Sequence, residues 1–506
     1  MANSILIRGG RVYDHDGDPH QPAIADIFIE DSRIARIGPN LGDSLGNLTV
    51  DRTIDARNKM VVPGFVNAHY HSHDTLLKGC FETIPLEMWL LNALPPSWPK
   101  RSTEEVRART LIGAVECIHS GITTIQDMLT IFPFDPEHVD TALDAYDEVG
   151  LRTVFALQIG NQRGLDRVPF WKEVVPEDKH HYLSASVEPF AGVDPLDAVE
   201  SEFLRAHDSR HLVTWGFAPT SPEYCTPDLL ERLADMSARH GLPIYTHIYE
   251  SKSMALAGRM FMPEHDGSQV KYLRSTGMLG PRLSLAHSVW MLPEEIEIIA
   301  ETGTNVVCNP VGNLKTKSGV PPIREYLDAG VNVGIGCDNS SCSDAQNMFQ
   351  AMKMFASLTA VSDPEPGAPL ATDVMRCATI NGAKTAGLDG EVGEIKVGYK
   401  ADLSIVDLNS PCFVPFNSAA RQLVFTESGQ DVETVIIDGR VVMEDRRVTT
   451  INELELKDAI EVVMEVVRTD LAAVMARSDE LEPYLREAWR RSMAADIGLN
   501  RFIGNH

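Results

Sequence analysis

His69 and His71 stand two positions apart at the end of Val61-Val62-Pro63-Gly64-Phe65-Val66-Asn67-Ala68-His69-Tyr70-His71. Side chains on a strand alternate between faces, so both imidazoles point the same way where this apolar run ends. Two neutral imidazoles converging on one point make half of a site for a divalent metal ion. A lone His-x-His is a weak signal, because two core or surface histidines give the same pattern. Three further runs strengthen it. Ile244-Tyr245-Thr246-His247-Ile248-Tyr249-Glu250, Leu283-Ser284-Leu285-Ala286-His287 and Val333-Gly334-Ile335-Gly336-Cys337-Asp338 each place a polar group after an apolar stretch. Taken singly, each has an ordinary structural alternative: an aspartate at a strand end caps the next helix, and a histidine there is hydrogen-bonded core. Taken together they place His69, His71, His247, Glu250, His287 and Asp338 at strand C-termini, where barrel enzymes gather their chemistry.

The elements that position these groups follow a βα rhythm. Apolar strand candidates fall at 61–68, 121–126, 152–158, 212–218, 242–247, 283–287, 304–308 and 331–337, with helical stretches such as 103–118, 227–239, 293–302 and 343–357 between them. Eight strands alternating with helices predict an α/β fold, a (β/α)8 TIM barrel over residues 61–389, with a doubly wound open sheet as the competitor. Residues 1–60 and 390–450 carry short strands, among them a hairpin expected around Gly9-Gly10 and another turning at Asp31-Ser32. Hairpins this short are not stable alone, so the two chain ends are expected to pair into one small β-sandwich. The tail, 451–506, predicts amphipathic helix in two stretches, Leu454 to Met475 and Glu480 to Met493, capping the barrel or docking on a partner subunit.

Composition sets the bounds. The chain has 506 residues, 43% hydrophobic and 23% charged, enough for a large core plus a satellite domain. A formal net charge of −27 argues against nucleic acid or an anionic membrane as partner. The N-terminus lacks a basic-then-apolar signal, and no apolar run is long enough to span a bilayer. The eight cysteines show no disulfide or zinc-ribbon spacing, which fits free thiols in a reducing cytoplasm.

The motifs resemble the amidohydrolase superfamily, in the branch of triazine hydrolases, guanine deaminase and adenosylhomocysteine-type deaminases. Pro63 to His71, Ala286-His287-Ser288-Val289-Trp290, Gly336-Cys337-Asp338 and Gly393 to Leu403 carry the likeness, which spans about residues 1–445. It implies one divalent ion, zinc first and Fe2+, Mn2+ or Co2+ as alternatives, held by His69, His71, His247 and Asp338. Two-metal relatives use a lysine on the fourth strand; residues 211–218 have none. Zinc lowers the pKa of a bound water towards ~7, giving a hydroxide that attacks a carbon bonded to nitrogen. The resemblance further implies Glu250 as acid and base, His287 as hydrogen-bond partner of the attacking water or oxyanion, and Asp338 as ligand and proton shuttle. His180, His181 and His240 fit no such role and are expected at the surface. Two departures stand out: Thr220 occupies the place of a histidine that contacts the heterocycle, and Cys308-Asn309-Pro310-Val311-Gly312-Asn313 replaces Cys-Pro-x-Ser-Asn. They leave ring deamination and amide, urea or carbamate cleavage of a small, largely uncharged compound both open. Phe81, Trp89 and Leu90 are candidates to line an apolar pocket. A homo-oligomer is expected. The contrary reading, a non-catalytic scaffold on the same barrel, predicts missing ligands.

Overall fold

The computed structural model describes residues 4–44, 50–183, 193–363, 365–367 and 369–503. The first three residues of the N-terminal stretch and the last three of the tail lie outside them. Eight parallel strand positions form the barrel: β1 (Phe65–His71), β2 (Ile122–Leu129), β3 (Arg152–Ile159), β4 (Val213–Trp215, continued by Ala218–Pro219), β5 (Ile244–Ile248), β6 (Leu283–His287), β7 (Asn305–Cys308) and β8 (Val333–Ile335, continued by Asp338–Asn339). Neighbours pair in sequence order. A bridge from Phe217 to Ile244 joins β4 to β5. Asp338 pairs with Tyr70 and Asn339 with His71, which brings β8 back to β1 and closes the ring. An open doubly wound sheet has no such closing pair.

Helices start and stop where the local chemistry directs. Ser102 accepts the Glu105 N–H at the start of Thr103–His119, and Thr226 accepts that of Leu229 at the start of Pro227–His240. The latter helix ends on Gly241 at φ +70, the left-handed cap that glycine adopts without strain.

The two chain ends pair. Five strands from the first 63 residues and four between Leu403 and Val448 make one nine-stranded sheet. Lys59–Pro63 runs antiparallel to Leu403–Asp407 and is the seam between them. Three expectations are corrected. Ser4–Val12 is one continuous strand, not a hairpin; Gly9, at φ +70, sits in a bulge between Ile7 and Gly10. The run 61–68 splits at Gly64, its first part belonging to the end sheet and its second to β1. The tail forms one helix, Glu453–Ala494, that continues through Pro483.

A buried ion cluster fastens the end sheet to the barrel. Arg152, opening β3, donates to both Asp402 oxygens at 2.7 and 3.0 Å and to Asp438 at 3.1 Å. Asp402 lies in the segment that leads back to the end sheet, and Asp438 in the turn between Val432–Ile437 and Arg440–Glu444.

Candidate active site

β1 delivers His69 and His71 to one side, while Tyr70 between them turns outward against Thr75. The ring nitrogens then converge. His69 Nε2 and His71 Nε2 lie 3.1 Å apart, and His71 Nε2 and His247 Nε2 lie 3.2 Å apart. Asp338 Oδ1 is 3.4 Å from His69 Nε2 and 3.7 Å from His71 Nε2. His287 Nε2 is 3.4 Å from Glu250 Oε2. The structure thus brings together all six residues singled out in the sequence. His181 and His240 are exposed and His180 is half-buried, bonded to the Val175 carbonyl at 2.9 Å.

Hydrogen bonds fix where the ring protons sit. His71 Nδ1 donates to the Met128 carbonyl at 2.7 Å, and His247 Nδ1 to the Thr220 carbonyl at 2.6 Å. A carbonyl only accepts, so the ring hydrogen of each is on Nδ1 and each Nε2 carries a lone pair. Two lone pairs facing each other across 3.2 Å, with a carboxylate beside them, repel unless a cation lies between. The donor set of three imidazoles and one carboxylate fits a divalent metal ion. Burial, reinforced by the neighbouring imidazoles, holds His71 and His247 well below the ordinary imidazole pKa and so in the neutral, ligating form. Burial would push the Asp338 carboxyl up; the imidazoles of His287, His69 and His71 outweigh it and keep Asp338 ionised.

The strand ends are backbone-strained where these groups emerge. His287 has φ +69, Asp338 φ +66 and Tyr249 φ +50. Non-glycine residues hold such angles only where the surroundings over-determine them, as at functional sites. Asp338 does not cap the following helix. Asp74, on the turn after β1, does so instead, accepting the N–H groups of Ser340 and Ser341 at 3.2 and 3.0 Å. Asp338 Oδ2 accepts from the Cys342 thiol at 3.3 Å, its one donor among the described residues. Gly336 lets β8 pass close to β1: a Cβ there would lie 2.3 Å from Asn309 Oδ1 and 2.7 Å from His69 Cβ.

Glu250 sits in the short link between β5 and the helix Lys252–Phe261. Burial, then the charges of Asp338 and Glu87, raise its carboxyl well above the ordinary range. Asn313 Oδ1 accepts from His287 Nδ1 at 2.8 Å, leaving His287 Nε2 turned towards Glu250. Burial lowers the His287 pKa to about 4. Asn313 comes from the segment that departs from the expected motif, and its carboxamide fixes the ring.

A cavity of about 210 Å³ opens onto His71, His247, Glu250, His287 and Asp338. Its walls are largely apolar, including Leu86, Trp89, Leu90, Ile131, Phe132 and Trp171. Trp89 and Leu90 line it as anticipated; Phe81 is not on its wall and packs behind, with Leu77 and Trp89. The sequence reading missed two acids on the wall, Glu87 and Glu223. Isolated glutamates in loop or helix carry no pattern that points inward.

The sequence matches the Amidohydrolase family over residues 60–442. It is 34% identical to a 5-methylthioadenosine/S-adenosylhomocysteine deaminase of Thermococcus onnurineus over 446 residues, 88% of this chain and 95% of that one. It is 31% identical to a 5'-deoxyadenosine deaminase of Methanobrevibacter smithii, over 85% of this chain and 91% of that one. Among solved structures, the atrazine chlorohydrolase of Arthrobacter aurescens TC1 complexed with zinc superposes with a TM-score of 0.78 at 26% identity, covering 91% of this chain and 99% of that one. A barrel, a histidine–aspartate cluster at its strand C-termini and this match define one class: the chain belongs to the amidohydrolase family. It is a metal-dependent hydrolase acting on carbon–nitrogen bonds, and the scaffold alternative falls away.

Proposed function

We propose that this enzyme hydrolytically deaminates a small, planar nitrogen heterocycle, with one divalent ion, zinc, held by His69, His71, His247 and Asp338. The observation that carries this reading is the pair of Nε2 lone pairs of His71 and His247, 3.2 Å apart beside Asp338, with Glu250 at the same cavity floor. The ion, when bound, acidifies a water so that it can act as a nucleophile near neutral pH. Glu250 takes a proton from the attacking water at its carboxyl oxygen and returns it to the departing nitrogen, which leaves as ammonia. Its raised pKa suits that exchange, since a carboxyl with an ordinary pKa is a poor proton donor at neutral pH. His287 Nε2 accepts from the water's O–H and steadies it against Glu250. Asp338 stays ionised and holds its share of the charge. Apolar walls seat an uncharged ring, and the deaminase names of the relatives agree with a ring amine as leaving group.

The test is ammonia release by zinc-loaded protein from aminopurines, aminopyrimidines and aminotriazines, beside ureas and amides. Glu250→Gln is expected to lower kcat by about 10²–10⁴ while zinc content stays the same. Unchanged turnover in that variant would remove Glu250 from the reaction, and release of a carboxylate or carbamate without ring deamination would shift the substrate class.

A further inference from the structure

Glu223 is buried, 2% exposed, on the turn Pro222–Tyr224 that follows β4. Its carboxylate lies on the wall of the catalytic cavity. Neither Oε1 nor Oε2 has a hydrogen-bond partner among the described residues. Its own backbone N–H, Ser221 and Gln269 approach it without reaching hydrogen-bonding geometry, and the Arg167 charge is felt there. The one arginine on the same wall, Arg167, donates to Gln162 Oε1 at 2.9 Å and makes no ion pair with Glu223. The contrast is Glu87, also buried on that wall, whose Oε1 accepts from Ser251 Oγ at 2.5 Å.

Leaving both oxygens of a buried carboxyl unpaired is strongly unfavourable, and a fold keeps such a group only when something outside it supplies the donors. The cavity is where that something enters. Glu223 and Glu250 line the same cavity, so a substrate that fills it meets both carboxyls. Gln158 and Gln162 share that wall, but both are engaged, Gln158 with Thr130 and Thr220 and Gln162 with Arg167, whereas Glu223 is not.

Resting on the deaminase reading above, we propose that Glu223 is a specificity residue that accepts hydrogen bonds from a second N–H group of the substrate, beyond the amine that leaves. The substrate class is then a ring with at least two donors, such as a diamino-substituted purine or triazine, or its ring-NH equivalent. Rings that carry only acceptors or alkoxy groups at the second position leave the carboxyl unpaired in the complex and bind poorly.

Matched pairs test this on the full-length, zinc-loaded enzyme: 2,6-diaminopurine against 6-aminopurine, and melamine against 2-amino-4,6-dimethoxy-1,3,5-triazine. The wild type is expected to favour the diamino member of a pair in kcat/KM by roughly 10- to 100-fold, the worth of a hydrogen bond to a charged group. Glu223→Leu is expected to erase that preference, through KM more than kcat, and to melt no lower than wild type, because an unpaired buried carboxyl has been removed. Turnover without preference, or a preference that survives in Glu223→Leu, overturns the assignment. So does a fall in Tm with equal loss on both members, which marks a structural role. Silence of the wild type towards every ring amine would instead overturn the deaminase reading itself.

Discussion

The residues of this site are defined by which atom each presents. Carbonyl acceptors on Met128 and Thr220 decide that His71 and His247 offer Nε2, and an asparagine carboxamide does the same for His287. The close passage of β8 past β1 depends on Gly336. Gly336→Ala would press a methyl group into Asn309 Oδ1 and into His69 Cβ and its backbone N, and the His69 atoms belong to β1 and cannot swing aside. Its expected outcome is a loss of about 1–3 kcal/mol or more in urea unfolding together with reduced zinc content by elemental analysis. Glu223 gives a pH signature. Burial pushes its carboxyl up to about 7 from the ordinary 4.5. Below 4.5 the folded and unfolded states are both protonated. Between 4.5 and 7 the unfolded chain releases the proton while the fold retains it, so stability falls as pH rises, by on the order of 3 kcal/mol, and levels off above 7. Glu223→Gln removes that contribution. Its Tm advantage over wild type is expected to grow from pH 4.5 to 7; a difference independent of pH would contradict the buried-acid account.

At the scale of elements, strand order and the two fastening points matter most. β1 runs on from a strand of the end sheet with only Gly64 between, so the end sheet fixes the height at which His69 and His71 emerge. The Arg152–Asp402–Asp438 cluster holds that sheet under the barrel. Asp402→Ala leaves the buried Arg152 guanidinium short of its bidentate partner, and breaking a buried pair from one side costs about 3–5 kcal/mol. Chemical denaturation of Asp402→Ala, set beside Arg152→Leu/Asp402→Leu, is the check. The double variant is expected to recover part of the loss, since no charge is stranded. The strand and helix candidates between 103 and 357 were legible from the alternation of apolar runs with helical stretches; the caps at Ser102 and Thr226 came from the structure. The bulge at Gly9 was not, because a glycine pair flanked by apolar residues marks a hairpin and a bulge equally well.

The whole molecule adds a brace that lies outside the family match, which ends at residue 442. The helix Glu453–Ala494 runs over the cavity's outer wall. Leu481, Leu485 and Ala488 are buried against Leu91, Leu165, Val168 and Trp171, and Arg477 donates to the carbonyls of Ser97 and Leu91. Asp470 binds the buried Arg101 at 2.6 Å. Leu91, Val168 and Trp171 also line the cavity, so the tail holds the wall that the substrate touches. Leu485→Ala is expected to destabilise by about 2–5 kcal/mol and to raise KM more than it lowers kcat, read from thermal melts and steady-state kinetics. An unchanged KM would separate the tail from the pocket. No helix among the described residues is long and apolar enough to cross a membrane.

The sequence alone determined the period of two that aims His69 and His71 together, the eight apolar runs, and the strand ends where His247, Glu250, His287 and Asp338 emerge. These are local properties, written in spacing and hydrophobicity. Only the tertiary structure decided that Asp74 rather than Asp338 caps the last barrel segment, that Glu87 and Glu223 face the cavity, and that the tail is one helix lying on the pocket wall. Each of those depends on partners brought in from other elements of the fold, and a glutamate or a leucine has the same local signature whether it faces solvent or a closed cavity.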